Sequence, residues 1–129
     1  MIYIDTSVAL AQLLGEDRRP PESLSREPLV SSRLLEYELW SRVHAYDVAR
    51  SHGDLIRDFL LRVALVKLDP LILARAIEPF PRAARTLDAL HLATLHYLHE
   101  HGQRPALASY DARMLDIARA LKWPIYELP

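Results

Sequence analysis

The stretch Met1-Ile2-Tyr3-Ile4-Asp5-Thr6-Ser7 decides the fold. Its apolar run is too short for a helix and reads as a buried strand over 1–5. It stops on a carboxylate at the point where Thr6 or Ser7 can cap a helix. The same arrangement recurs near the other end, where Ala106-Leu107-Ala108-Ser109-Tyr110 leads into Asp111. Strands that run straight into helices predict an α/β chain with a mostly parallel sheet covered on both faces. Ligands of such sheets bind beyond the carboxyl ends of the strands, so Asp5 and Asp111 are expected to share a pocket at one sheet edge.

Working outward, the first helix is expected to run to about Leu14 and to stop at Gly15. Residues 16–28, rich in proline and charge, read as an exposed connection. Leu29 to Ser32 is a second strand, followed by a long helix from about Arg33 to Arg50 with a core stripe of Leu35, Leu39, Val43 and Tyr46. His52-Gly53 is expected to break that helix. Asp54 to Val63 reads as another helix, Ala64 to Leu68 as a third strand, and Pro70 to about Ile77 as a helix opened by proline. After the break at Pro79 and Pro81, Thr86 is expected to cap an apolar helix from Leu87 to about Glu100, stopped by Gly102. Ala106 to Ser109 is the fourth strand, Ala112 to Leu121 a helix, and Pro124 to Leu128 a short last strand.

The 129 residues point to one domain over 1–129. With no cysteine, disulfides, thiolate metal sites and cysteine nucleophiles are excluded, and a reducing cytoplasm is the expected setting. No apolar stretch approaches the roughly 18 residues of a membrane span, and neither signal peptide nor targeting extension is expected. A net charge of −1 gives no global pull towards nucleic acid. Every basic residue except Lys67 and Lys122 is an arginine, the better fork for phosphate.

A carboxylate pocket in a cysteine-free chain suits a hard cation such as Mg²⁺ or Mn²⁺. Two further acids stand on apolar helices, where an unpaired charge is costly: Glu38 beside the core stripe, and Asp88 within Arg85-Thr86-Leu87-Asp88-Ala89-Leu90-His91-Leu92-Ala93-Thr94. Each acid also has a local explanation. Asp5 and Asp111 can satisfy backbone donors at strand-to-helix turns. Asp88 suits a helix N-terminus, and Glu38 can pair with Arg42.

Four segments in this order and spacing resemble the PIN-domain ribonucleases, specifically the VapC toxins of VapBC-type toxin–antitoxin pairs. They are Tyr3-Ile4-Asp5-Thr6-Ser7, Ser31-Ser32-Arg33-Leu34-Leu35-Glu36-Tyr37-Glu38-Leu39, Leu87 to Thr94, and Ser109-Tyr110-Asp111-Ala112-Arg113-Met114-Leu115. The resemblance implies a five-stranded sheet ordered 3-2-1-4-5 with helices on both faces. It implies an acidic quartet of Asp5, Glu38, Asp88 and Asp111 that serves both as catalytic group and as ligand set for Mg²⁺ or Mn²⁺. Glu36 competes with Glu38 but lies on another helix face, and the Glu-Leu pattern favours Glu38. Asp116 is an accessory candidate, and Thr6 and Ser109 are hydroxyls able to orient ligands or water. The implied reaction is hydrolysis of RNA by water, leaving 5′-phosphate and 3′-hydroxyl ends. The implied partners are RNA, a second copy of the chain, and a small VapB-like antitoxin able to offer a basic side chain to the pocket.

Arg82, Arg85 and Arg113 flank the quartet and are candidate phosphate contacts. His96, His99 and His101 read as histidines at a helix end rather than as metal ligands. His91 reads as a packed core histidine. Tyr37, Trp40 and His44 share a face that either packs beneath a neighbouring helix or meets a partner. Two other functions stay open: a catalytically silent PIN-like binding module, and an aspartate-based phosphoryl-transfer or receiver domain. The latter would use Asp69 as acceptor, but Asp5 has no acidic neighbour and Lys122 is misplaced.

Overall fold

The computed structural model describes residues 1–15 and 18–129; of the expected connection, 16 and 17 lie outside the described residues. Four strands, β1 (Ile2–Ile4), β2 (Leu29–Ser32), β3 (Val63–Val66) and β4 (Ala106–Ala108), form one parallel sheet ordered β3-β2-β1-β4. Among the described residues six helices accompany them: α1 (Thr6–Leu14), α2 (Leu34–Ala45), α3 (Ala49–Leu61), α4 (Pro70–Ala76), α5 (Thr86–Glu100) and α6 (Ala112–Ala120). A short 3-10 helix, Glu22–Arg26, precedes β2.

The central strand shows why every position is apolar. Ile2 and Ile4 face one core, shared with Val8, Leu35, Leu39, Ile56 and Phe59 from α1, α2 and α3. Tyr3 faces the other, shared with Leu92, Leu95, Met114 and Ile117 from α5 and α6. A parallel strand covered on both faces loses the polar alternation of a half-exposed strand. From β1 the chain goes to β2 on one side and reaches β4 on the other, so the switch point lies between β1 and β4, as expected.

The predicted last strand, 124–128, is reduced to a bridge between Leu107 and Ile125, so the sheet has four strands and not five. Pro124 has no N–H to donate, and the ladder consists of Leu107 N–H to the Pro124 carbonyl and Tyr126 N–H to the Leu107 carbonyl. The bridge lies beside β4, where a fifth strand would have been. The predicted long helix ends at Ala45, and Asp47 turns the chain with φ 55, a conformation Asp tolerates better than most residues. Tyr46 therefore leaves the core stripe and is 54% exposed.

His52-Gly53 lies inside α3 instead of ending a helix. Gly53 is buried where Trp40 of α2 packs against α3, and the Arg57 guanidinium lies over the same indole. The Tyr37-Trp40-His44 face is thus partly covered, with Tyr37 still exposed. A Cβ on Gly53 would meet Arg57 Nη1 at 3.4 Å and Trp40 at 3.6 Å, ordinary contact distances. Gly53→Ala is expected to stabilise the fold by about 0.5–1 kcal/mol through helix propensity, read from urea unfolding. A loss of stability would show that the α2–α3 contact cannot accept one methyl group.

Candidate active site

The strand-end aspartates cap helices. Asp5 Oδ1 accepts the Val8 N–H (3.4 Å), and Asp111 Oδ1 accepts the N–H groups of Arg113 (2.9 Å) and Met114 (3.4 Å). Thr6, expected as a cap, is instead the first residue of α1; likewise Thr86 opens α5 after Arg85. Capping directs the aspartates to the carboxyl edge of the sheet without using all of their oxygens. There Asp5, Glu38, Asp88 and Asp111 line one cleft of about 450 Å³, with Thr6, Ser7, Arg42, Arg85 and His91 in its wall.

Asp5 is the innermost acid, 4% exposed. Ser7 Oγ donates to its Oδ1 (2.6 Å) and Ser109 Oγ to its Oδ2 (2.7 Å). Each serine is held in turn by a backbone amide, Tyr110 N–H on Ser7 Oγ and Asp111 N–H on Ser109 Oγ. Burial pushes the Asp5 carboxyl above its ordinary range; the two hydroxyls, nearby His91 and the Val8 amide oppose that shift without cancelling it.

Glu38 is held by Thr6 and His91. Thr6 Oγ1 and His91 Nε2 both lie 2.7 Å from its Oε1, and His91 Nδ1 lies 2.8 Å from the buried Tyr3 hydroxyl. One neutral tautomer satisfies this chain: Nε2–H donates to the carboxylate while Nδ1 accepts the Tyr3 proton. His91, read from the sequence as a core histidine, is 2% exposed and also orients a cleft acid. The signal was its position three residues after Asp88, on the same helix face. Ser7 was likewise read only as a cap. Glu36 pairs with Arg33 at 3.8 Å and does not line the cleft.

Asp88 and Asp111 form the third part. Arg85 Nε lies 3.1 Å from Asp88 Oδ2 and its Nη2 lies 2.7 Å from Asp111 Oδ2. Burial raises the Asp88 pKa first and the neighbouring Asp111 charge raises it further, while Arg85 opposes both. Arg85 is thus drawn into the acidic wall, whereas Arg82 and Arg113 are exposed outside the cleft lining.

Asp116 is also placed away from the cleft. The buried face of α6 carries Met114, Ile117 and Ala118, which turns Asp116 towards solvent, where it lies 3.9 Å from Arg119. Asp69 caps α4 through the Ile72 N–H (3.1 Å) and does not line the cleft either. Of the helix-end histidines, His96 meets Arg75 and Glu100, His99 stacks on Trp123, and His101 meets the Tyr97 carbonyl.

Among the described residues no three carboxylates or imidazoles stand close enough to enclose an ion. The donor chemistry nonetheless suits a hard cation: four carboxylates, hydroxyls and no sulfur. Asp88 and Asp111 also already hold one cation, the Arg85 guanidinium.

The PIN domain family model matches residues 2–120. The chain is 34% identical over 127 residues to Ribonuclease VapC46 of Mycobacterium tuberculosis (strain ATCC 25618 / H37Rv), an alignment covering 93% of this chain and 92% of that protein. Fold, cleft and both comparisons agree: the chain belongs to the PIN-domain family, with its likeness to a VapC ribonuclease running nearly from end to end.

Proposed function

We propose that residues 1–129 act as one PIN domain, the toxin of a type II toxin–antitoxin pair, and that it is a divalent-metal-dependent endoribonuclease. The observation that carries this reading is the convergence of four acids from four separate elements on one cleft: the end of β1, α2, α5 and the end of β4. The 34% identity to a protein named as a ribonuclease supports it.

In this reading Asp5, Glu38, Asp88 and Asp111 hold Mg²⁺ or Mn²⁺. A bound divalent cation would polarise a phosphodiester and lower the pKa of the attacking water. The chain's own groups do the positioning. Ser7 and Ser109 fix both Asp5 oxygens, and Thr6 with His91 fixes Glu38. An oriented carboxylate can align the attacking water and take up its proton. Arg82, Arg85 and Arg113 are the proposed phosphate contacts, which position RNA without reading its sequence.

The proposed setting is the cytoplasm, with a small VapB-like antitoxin and a second copy of the chain as protein partners. Among the described residues no helix is long and apolar enough to cross a membrane. Leu71 on α4 and Ile77 at its end are exposed, 66% and 84% accessible.

Purified protein is expected to cut labelled single-stranded RNA with Mg²⁺ or Mn²⁺, to stop in EDTA, and to lose cutting in Asp88→Asn. The products should carry 5′-phosphate and 3′-hydroxyl ends. A 2′,3′-cyclic phosphate would reject hydrolysis by water. Cutting that survives in Asp88→Asn would mean either that Asp88 is dispensable or that the activity comes from another protein.

A further inference from the structure

We propose that Arg85 is an internal counter-ion of Asp88 and Asp111, which a divalent cation has to displace, and that the displaced guanidinium then meets an RNA phosphate. This rests on the metal-dependent nuclease reading above and adds an order of events: metal first, then the arginine's move onto substrate.

The two oxygens of Asp111 have different roles. Oδ1 is committed to the first turn of α6 through the Arg113 and Met114 amides. Oδ2 is therefore the oxygen left for the cleft, and it is the one that Arg85 Nη2 contacts at 2.7 Å. Asp88 presents its Oδ2 to Nε of the same guanidinium at 3.1 Å. The two carboxylates sit 20% and 16% exposed around a side chain that is itself 64% exposed. A divalent cation reaching Asp111 through Oδ2 would occupy the position of Nη2, and two positive groups at contact distance repel. Arg85 and the ion therefore compete for one oxygen.

Departure of Arg85 costs the fold little. It occupies the N-terminal cap position of α5 in extended backbone (φ −70, ψ 159) and makes no side-chain cap bond. Only its side chain has to rotate, and that side chain already faces solvent. Its Cα stays tethered three residues before Asp88, at the cleft rim. A phosphate bound over the acids would then find the guanidinium within a side-chain length, with the planar fork that suits phosphate oxygens. The same residue that neutralises two acids thus becomes available to the substrate once the ion has taken over its charge.

The test is Mn²⁺ binding by isothermal calorimetry on the full chain, comparing wild type, Arg85→Gln and Asp88→Asn. Arg85→Gln is expected to bind Mn²⁺ about three- to tenfold more tightly than wild type, the size expected from removing two solvent-exposed ion pairs. Asp88→Asn should bind more weakly than both. In wild type, the Arg85 side-chain Nε–H resonance, identified by its absence in Arg85→Gln, should shift during an Mg²⁺ titration in step with occupancy. Equal or weaker Mn²⁺ binding by Arg85→Gln, with Asp88→Asn still impaired, would overturn the competition and leave the metal site standing. An Nε–H resonance indifferent to saturating Mg²⁺ would also overturn it. No Mn²⁺ binding by any variant would overturn both readings at once. Because Arg85 is exposed, a melting curve for Arg85→Gln close to wild type is expected and keeps the comparison interpretable.

Discussion

Asp5→Asn should sharply reduce RNA cleavage and, before any metal is added, raise the melting temperature. The carboxylate is almost fully buried, held by two serine hydroxyls and one amide, with His91 nearby at the base of the acidic cleft. Burial dominates, so its folded-state pKa lies above the unfolded value of about 3.9. Below about pH 3.9 the group is protonated in both states and contributes no difference. As pH rises through the folded-state pKa, the unfolded chain ionises first and the native state loses stability.

Above that range the wild type bears the full cost of the buried charge, which a carboxamide does not. In Asp5→Asn the new amide oxygen can still accept from Val8 and Ser7, and Ser109 Oγ can rotate to accept the amide N–H. The melting-temperature gap between Asp5→Asn and wild type should therefore be small near pH 4 and widen to several degrees at pH 8, the scale of about 1 kcal/mol in a chain of this size. Adding Mg²⁺ should close it by stabilising wild type alone. Cleavage should fall by roughly 10²–10³-fold or more, as when one preorganised electrostatic group is removed from a site. A variant less stable than wild type at pH 8 in EDTA would show that hydrogen bonds to the ionised form outweigh burial.

His91→Ala should lower stability by about 3–4 kcal/mol and reduce cleavage as well. The imidazole joins the inner core to the cleft through Tyr3 on one side and Glu38 on the other. Its removal leaves a cavity and deprives the fully buried Tyr3 hydroxyl of its 2.8 Å partner. Ser31, Thr94 and the Ser32 backbone also stand beside that hydroxyl, so losing its imidazole partner costs about 1 kcal/mol and the cavity of imidazole size supplies the rest. The half-buried Glu38 also loses a donor, which lets its carboxylate leave the orientation that Thr6 and His91 impose together. The double variant Tyr3→Phe/His91→Ala separates these contributions, because it also deletes the hydroxyl. It should be destabilised by less than the sum of the two single changes, by about 1 kcal/mol or more in urea unfolding. Strict additivity would show that the Tyr3 hydroxyl is satisfied by other groups and that the Tyr3–His91–Glu38 chain does not act as a unit.

Several features follow from residues close in sequence. The buried central strand, the Asp111 cap, the stop at Gly15 and the proline-opened α4 each depend on neighbours within a turn or two, so patterns of polarity and capping expose them. The acids that line the cleft were legible for a similar reason: a carboxylate at the end of an apolar strand or on an apolar helix is costly enough to demand a partner. The break at Tyr46–Val48 and the continuity of α3 through Gly53 were not legible. Asp47 adopts its positive φ where α2 turns into α3, and Gly53 is tolerated because Trp40 packs there.

By itself, then, the sequence determined a parallel α/β chain with acids at the ends of β1 and β4, together with the family to which it is similar. Only the tertiary structure decided how those acids are partnered. Arg85 could be placed near Asp88 from its spacing, but its contact with Asp111 spans 26 positions and depends on α5 approaching the β4–α6 turn. His91 reaches Glu38 across 53 positions, and Ser109 reaches Asp5 across 104. Asp116, five residues past Asp111, faces solvent because the other side of α6 is buried. Local pattern records what each residue requires; the register of the parallel ladder and the packing of helices on both sheet faces select which distant group meets that requirement.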